Sequence, residues 1–331
     1  MKYGTMTYIS SLGVYNAGDY IQSLAAMQYL PRVDSYLNRE QLDKYQGDKI
    51  KMILNGWFMH MPENWPPSPQ IDPLFVSFHM NHHLEDAMLK DGKAEYLKKF
   101  GPIGCRDLFT ANKLQKYGID AYYSSCLTTT LDLKYKSEEQ DGKVYVVDPL
   151  WLYPNSAKIF SNYRTFLKSF LNGDIMKINS VQNTLKSLFT KDVLADAEYL
   201  TQVYPEHESE ELRFKRAEDL LHKYAKARLV ITSRIHCALP CLALGTPVIF
   251  LNSGFHSVND QCRFDGIVDI LNTINIGDDG EISSNFDFKK GDKISLKDRI
   301  LNPTRNDRNA ALLKARCSAF INENLTVLEN Q

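Results

Sequence analysis

The sequence predicts an α/β protein built on two doubly wound parallel sheets, and three observations carry that expectation. Short β-rich runs alternate with segments of helical periodicity that stop at Gly or Pro, the order in which parallel sheets are assembled. The run Leu229–Thr232, LVIT, has no polar alternation, as befits a strand covered on both faces. Between two such series lies Lys134–Gly142, KYKSEEQDG, which is charged, glycine-terminated and free of periodicity. It is the best boundary in the chain. The expected domains are therefore residues 1–140 and 141–331. At this length a chain can bury about three quarters of its unfolded surface.

The elements run in order along the chain. GTMTYI is a strand, and SSLGVYNAG leads from it into a helix in which Ile21, Leu24, Ala25 and Gln28 share one face, with Pro31 as the stop. KMILNGWF and PLFVSFHM read as further strands. GPIGCR is another, and Asp107 caps a helix that Gly118 ends. IDAYYSSCLTTTL resumes as strand, and KVYVVDPLW opens the second series. From about Tyr153 to Ala227 the pattern is nearly all helical. LVIT is followed by IHCALPCLAL, with Gly245 as terminator and TPVIFL as the next strand. Pro240 is tolerated only near a helix start, which puts the N-terminus of that helix close to His236. The last helix, DRNAALLKARCSAFINENL, is placed to pack back on the N-terminal domain.

Composition removes several functions. Lys+Arg 39 against Asp+Glu 40 gives a net charge of −1, so no global field recruits nucleic acid or an anionic membrane, and any anion must be gripped locally. The start lacks an apolar leader core and no apolar run approaches the length of a spanning helix. The expected location is the cytoplasm, with the inner face of the membrane as its edge case. Six cysteines without a CxxC pair read as buried apolar thiols. His79, His82 and His83 in SFHMNHH lack an acidic or cysteine partner at ligand spacing, so no metal is expected. No P-loop, dinucleotide fingerprint or nucleophile elbow is present, which disfavours P-loop kinases, nicotinamide dehydrogenases and esterases.

Three strand-to-helix junctions hold the candidate site. Ser233, Arg234 and His236 stand where LVIT ends and a helix begins, the rim at which open α/β sheets bind ligands and where free N–H groups favour anions. Arg106 ends PIGCR, and Asn16, Gly18 and Asp19 open the first helix, where a glycine permits close approach to a ligand. Each has a plain structural alternative. Arg234 could cap the sheet end, His236 could be a satisfied interior histidine, Arg106 could pair with Asp107, and Asn16 to Asp19 could be a turn with an N-cap. On the acceptor side, Trp57 and Trp65 are either sugar platforms or anchors. Asp260 and Arg263 in NDQCRFDG are either ligand contacts or surface loop. YRTFLKSFLNG is either a membrane-resting segment or an ordinary amphipathic helix.

At these residues the sequence resembles the polysaccharide pyruvyl transferase family, through NAGDYIQSLA, GPIGCRD and ARLVITSRIHCALPCLALGTPVIFL, in that order across most of the chain. The resemblance implies a fold like that of the two-domain GT-B glycosyltransferases, two Rossmann-like halves. It implies transfer of the enolpyruvyl unit of phosphoenolpyruvate to two hydroxyls of a sugar, in capsule or exopolysaccharide synthesis. By position, Arg106 and Arg234 would hold phosphoenolpyruvate, Ile235 would add its backbone, and His236 would be catalytic. No cofactor is implied beyond the donor substrate. The acceptor would be a sugar or a lipid-linked oligosaccharide, with at most peripheral membrane contact. Where many members carry Asp-Pro this chain reads SSCLTTTL, which leaves the part played by Ser125 to Thr129 open.

The chemistry fits those side chains. A carboxylate and a phosphate suit two guanidiniums, whose charge-assisted bonds are worth about 1.5–3 kcal/mol each. Proton transfer near neutral pH suits a histidine. Asp19 and His79 are the next candidates for the proton donor. The competing functions are a GT-B-type glycosyltransferase using a nucleotide-sugar, and a non-catalytic glycan-binding relative.

Overall fold

A computed structural model describes residues 1–9, 13–153, 180–255, 258–277, 281–288 and 291–322. The first sheet is six-stranded and wholly parallel. It comprises β1 (Lys2–Thr7), β3 (Ser35–Asn38), β4 (Ile50–Phe58), β5 (Ile71–Met80), β6 (Ile103–Cys105) and β7 (Ala121–Tyr123), in the order β3-β1-β4-β5-β6-β7. The second sheet comprises β8 (Val144–Val147), β9 (Glu198–Leu200), β11 (Leu229–Thr232), β12 (Val248–Asn252), β13 (Thr273–Ile276) and β14 (Ile282–Ser284). Its order is β14-β13-β12-β11-β8-β9, and only β14 runs antiparallel. The chain is therefore α/β with two Rossmann-like sheets, as the alternation of runs predicts.

The strand side chains show why both sheets are covered on both faces. In β8, Tyr145 and Val147 enter the core shared with the first sheet, while Val144 and Val146 enter a second core on the opposite face. Val230 and Ile231 of β11 divide in the same way. Successive strand residues point to opposite sides, so a run that is apolar at every position needs a layer on each.

Six helices shape the surroundings of the candidate site. α1 is Ala17–Met27, α2 is Leu108–Lys116, α3 is Glu210–Lys226, α4 is Ile235–Leu244, α5 is Val258–Phe264 and α6 is Asp307–Asn322. Gly245, at φ 76°, ends α4 in the left-handed conformation that a glycine adopts without steric cost. α6 lies against the first half: Lys51 Nζ donates to the Phe320 carbonyl at 2.6 Å, and Lys314 pairs with Asp132 at 2.6 Å.

Three readings of the sequence need amendment. IDAYYSSCLTTTL is strand only over Ala121–Tyr123, and Leu127–Thr130 forms a short 3-10 helix. The stretch before Ala227 is not all helix: β9 lies within it, and so does β10 (Val203–Pro205). β10 pairs antiparallel with β2 (Val14–Asn16), in the segment read as a polar connection. That two-stranded ribbon joins the halves and delivers Asn16 to the start of α1. The amphipathic segment YRTFLKSFLNG lies outside the described residues.

Candidate active site between the two sheets

In the second sheet, β8 connects outward to β9 on one side while β11 and β12 build on the other. This makes the crevice at the C-terminal ends of β8 and β11 a topological switch point, where such sheets bind ligands. Asp148 leaves β8 and Arg234 leaves β11, and Arg234 Nε donates to Asp148 Oδ2 at 3.0 Å across the crevice. The Arg234 guanidinium also lies 4.2 Å from the ring centroid of Trp151. Asp148 and Leu150 take φ of 42° and 49°, a left-handed backbone that costs of order 1–3 kcal/mol per residue. Ser233 secures this loop by accepting from the Leu150 N–H at 2.9 Å and donating to the Leu251 carbonyl at 2.7 Å.

Arg234 is the N-cap residue of α4 and makes no side-chain capping bond. As the first helical residue, Ile235 has an N–H that the helix leaves without an internal acceptor. His236 comes next and is buried. Its Nε2 has no hydrogen-bond partner among the described residues. Burial, then the positive charges of Arg106, Arg263 and Arg234, hold its imidazole well below the usual histidine range. It is therefore neutral near pH 7 and able to accept a proton.

Pro240 explains how His236 is held. Proline has no N–H, so the carbonyl four residues earlier, that of His236, is left without its helical donor. Gln202 supplies the donor, its Nε2 reaching that carbonyl at 3.0 Å. The same residue donates its backbone N–H to Asp148 Oδ2 at 2.9 Å, and its carbonyl accepts from Ala17 at 2.7 Å. Gln202 thus ties the starts of α1 and α4 to the Asp148–Arg234 pair. Sequence reasoning missed it because a single glutamine in an irregular stretch carries no periodic signal.

From the first half, the start of α1 meets the start of α4. Asn16 caps α1 by accepting from the Gly18 N–H at 2.9 Å. A Cβ on Gly18 would lie 3.0 Å from His236 Cβ and 3.0 Å from Gln202 Oε1. Gly18 thus lets the start of α1 approach the second half of the protein closely. Asp19, half-buried, accepts from Gln22 at 3.0 Å. Burial raises its carboxyl above the usual range, against the opposing charges of Arg39, Arg263, His60 and Arg106.

Arg106 is fully enclosed at 0% exposure, and Nε, Nη1 and Nη2 all lack a hydrogen-bond partner among the described residues. The ion-pair alternative with Asp107 is weak. Nε stands 3.9 Å from Asp107 Oδ2, and that oxygen is engaged by His79 Nδ1 at 2.6 Å while Oδ1 caps α2 through the Thr110 N–H at 2.8 Å. Leaving a charged guanidinium buried and unbonded costs several kcal/mol, so this residue calls for an anion. His79 is buried with both ring nitrogens engaged, Nε2 lying 3.1 Å from Asn81 Oδ1. Burial lowers its imidazole below the usual range, although Asp107 opposes the shift. It orients Asp107 and has no ring nitrogen facing the cavity.

The site residues converge on a cavity of about 30 Å³ lined by Asn16, Gln202, Ser233, Arg234, Ile235, His236 and Arg263, with rings of Trp151, Phe255 and Phe264 around them. Arg106 does not line this cavity, but it is close enough for its charge to bear on His236 and Asp19. The SSCLTTTL segment is turned inward. Ser124 accepts from the Ser77 N–H at 3.1 Å and donates to the Cys105 carbonyl at 3.0 Å, tying together the three strands around Arg106. Thr129 and Thr130 bond the carbonyls of Cys126 and Leu127. Trp65 is core, packed against Phe58, Phe75, Phe78 and Tyr96. Trp57 stacks with Arg39, which the sequence did not single out and which bonds Glu40 at 2.8 Å. The side chain of Asp260 lies outside the described residues. Among the described residues, no group of His, Cys, Asp and Glu could hold a metal, and no helix is long and apolar enough to cross a membrane.

Residues 16–254 match the family model described as polysaccharide pyruvyl transferase. No curated protein matches the chain. A similar solved structure is that of a functionally uncharacterised protein from Klebsiella pneumoniae subsp. pneumoniae NTUH-K2044. It is 12% identical, with a TM-score of 0.42, over 79% of this chain and 87% of that one.

Proposed function

The chain belongs to the polysaccharide pyruvyl transferase family, and from that premise we propose that it uses phosphoenolpyruvate to form a pyruvate ketal on two hydroxyls of a sugar. One observation carries the donor assignment: a fully buried Arg106 whose three guanidinium nitrogens lack a hydrogen-bond partner among the described residues, and whose charge bears on His236 together with those of Arg263 and Arg234. Phosphoenolpyruvate has two anionic groups, and Arg106 and Arg234 can each meet one with a charge-assisted fork. Arg263 adds a third charge, and the N–H of Ile235 adds a backbone donor at a positive helix end. A volume of about 30 Å³ suits roughly two waters. Phosphoenolpyruvate is larger than that, so the cavity has to widen to admit it.

In the reaction, a proton is delivered to C3 as the C2=C3 π pair forms the new C–H bond, turning the vinyl carbon into a methyl and leaving C2 electrophilic. The first hydroxyl oxygen then bonds C2 and gives up its proton to the neutral form of His236. The bond between C2 and the phosphate oxygen then breaks and phosphate leaves. The second hydroxyl oxygen bonds C2, and its proton ends on the phosphate. The negative charge of the bound donor raises the His236 pKa, so the imidazole can carry the proton that goes to C3 and take up the hydroxyl proton in its place. Asp19, on the facing helix, is the second candidate for proton transfer.

Calorimetric titration with phosphoenolpyruvate, paired with phosphate release in acceptor excess, tests this reading. His236→Gln is expected to keep donor binding and lose roughly 10²–10⁴ in turnover, the usual contribution of a positioned acid or base. Loss of binding with normal turnover of the bound fraction would make His236 an anion ligand alone. Binding of a UDP- or GDP-sugar, with no response to phosphoenolpyruvate, would overturn the donor assignment.

A further inference from the structure

Beside the arginine-rich cavity lies a second one of about 500 Å³, within the range of small-ligand sites. The two share Phe255 and Phe264, whose ring centroids are 4.4 Å apart. The second is built from both halves of the protein. Phe109 comes from α2, two residues beyond Asp107, while Asn252, Asp265 and Asp269 come from the second half. The halves are fastened there by the Leu108 N–H on the Asp265 carbonyl at 3.1 Å and by Tyr123 Oη on the Gly266 carbonyl at 2.8 Å.

The lining chemistry reverses across the shared wall. His236 feels three arginines, whereas the second cavity carries the exposed carboxylates of Asp265 and Asp269; partial burial first, then the negative charges of Asp107 and Asp269, raise the Asp265 carboxyl above the usual range. Three aromatic rings supply apolar faces for the C–H side of a pyranose. Carboxylates and an amide supply acceptors and donors for its hydroxyls. A uronate or phosphate would meet like charge there, an unfavourable contact that water partly screens because both carboxylates are exposed.

We propose that this second cavity is the acceptor site and that it takes an uncharged hexopyranoside carrying the diol. The inference rests on the reading of the first cavity as the donor site. The acceptor lies against Phe109 and Phe255, its hydroxyls bond Asp265, Asp269 and Asn252, and the diol reaches C2 of the donor past Phe264.

Saturation-transfer NMR on the whole protein, without donor, uses methyl β-D-galactopyranoside, methyl α-D-mannopyranoside and methyl β-D-glucuronopyranoside as probes. Transfer to a neutral glycoside and not to the glucuronide is expected. It should weaken about tenfold in Phe109→Ala and in Asp269→Asn, as loss of one good contact implies. Calorimetry with phosphoenolpyruvate on the same variants should give unchanged affinity, which also shows that they are folded. In Asp265→Asn/Asp269→Asn the preference against the glucuronide should narrow. Absence of transfer from both neutral glycosides, or transfer unaffected by Phe109→Ala and Asp269→Asn, overturns the acceptor site. A glucuronide that binds as well as the neutral sugars overturns the substrate class. Failure of phosphoenolpyruvate to bind the unaltered protein overturns the donor reading alone, because the sugar titrations do not depend on it.

Discussion

Arg106 and Arg234 end strands of different sheets on the same rim, but they are held in opposite ways. Arg234 is anchored before any ligand arrives, bonded to Asp148 and stacked on Trp151, with 14% of its side chain exposed. Arg106 is enclosed, and its nitrogens have no hydrogen-bond partner among the described residues. The first arrangement supplies a pre-oriented fork that still meets solvent. The second stores unfavourable free energy in the protein without ligand and releases it when an anion binds. Preorganisation of one charge and destabilisation of the other both strengthen binding, but they leave different traces when each residue is removed.

The largest difference is expected at Arg106. Arg106→Leu should cost about 3–6 kcal/mol of phosphoenolpyruvate affinity, two charge-assisted bonds at 1.5–3 kcal/mol each. The same change should stabilise the ligand-free protein, because relief of three buried guanidinium nitrogens without a hydrogen-bond partner among the described residues outweighs loss of the 3.9 Å contact with Asp107, whose oxygens keep His79 and Thr110. Arg106→Lys keeps the charge without the planar fork, so it should weaken binding with no gain in stability. Denaturant unfolding beside calorimetry reads both quantities. A destabilised Arg106→Leu would mean that its guanidinium is satisfied in the native state, and the contrast with Arg234 would collapse.

Arg234→Ala should show the reverse sign in stability. Affinity falls by about 1.5–3 kcal/mol for one charge-assisted contact, and stability falls too, because the half-buried Asp148 loses its partner. Asp148→Asn in the Arg234→Ala background should restore stability and leave affinity low. Recovery of affinity in that double variant would show that Arg234 acts by neutralising Asp148 and not by touching the donor.

How far these arrangements were legible depends on how local their causes are. The β11–α4 junction could be read because its signals lie within one stretch: an apolar run, a proline compatible only with a nearby helix start, and a terminal glycine. Arg106, Arg234 and His236 stand out as polar residues at such junctions, and the structure brings them within electrostatic reach of one another. Nothing in the sequence distinguished the anchored arginine from the enclosed one. That distinction depends on Asp148, 86 residues from Arg234, and on His79 and Thr110 engaging the oxygens of Asp107. β2 and β10 are three residues each, too short for a period, and their pairing is non-local. Gln202 was invisible for the same reason, although Pro240 hinted that the His236 carbonyl would need another donor.

The smallest expected effect is the dependence of the contrast on pH, since His236 reports the summed charge of both arginines. Its folded pKa lies below the unfolded value near 6.5. A histidine depressed in this way contributes stability that is fully present above the unfolded pKa and is lost as pH falls toward the folded one, because the unfolded chain then binds more protons. The slope per histidine cannot exceed about 1.4 kcal/mol per pH unit, and His79, also depressed by burial, contributes a second such term. Denaturant unfolding between pH 7.5 and 5.5 should therefore show falling stability, with His236→Gln removing one part of the slope and leaving that of His79. Arg106→Leu should remove a neighbouring positive charge and so flatten the slope more than Arg106→Lys. Binding of phosphoenolpyruvate adds negative charge and raises the His236 pKa, so proton uptake should accompany binding at pH 6.5. Titration in two buffers of different ionisation enthalpy measures that uptake. An uptake that persists in His236→Gln would place the responding proton on another group, and Asp19, whose raised carboxyl faces the same arginines, would be the residue to change next.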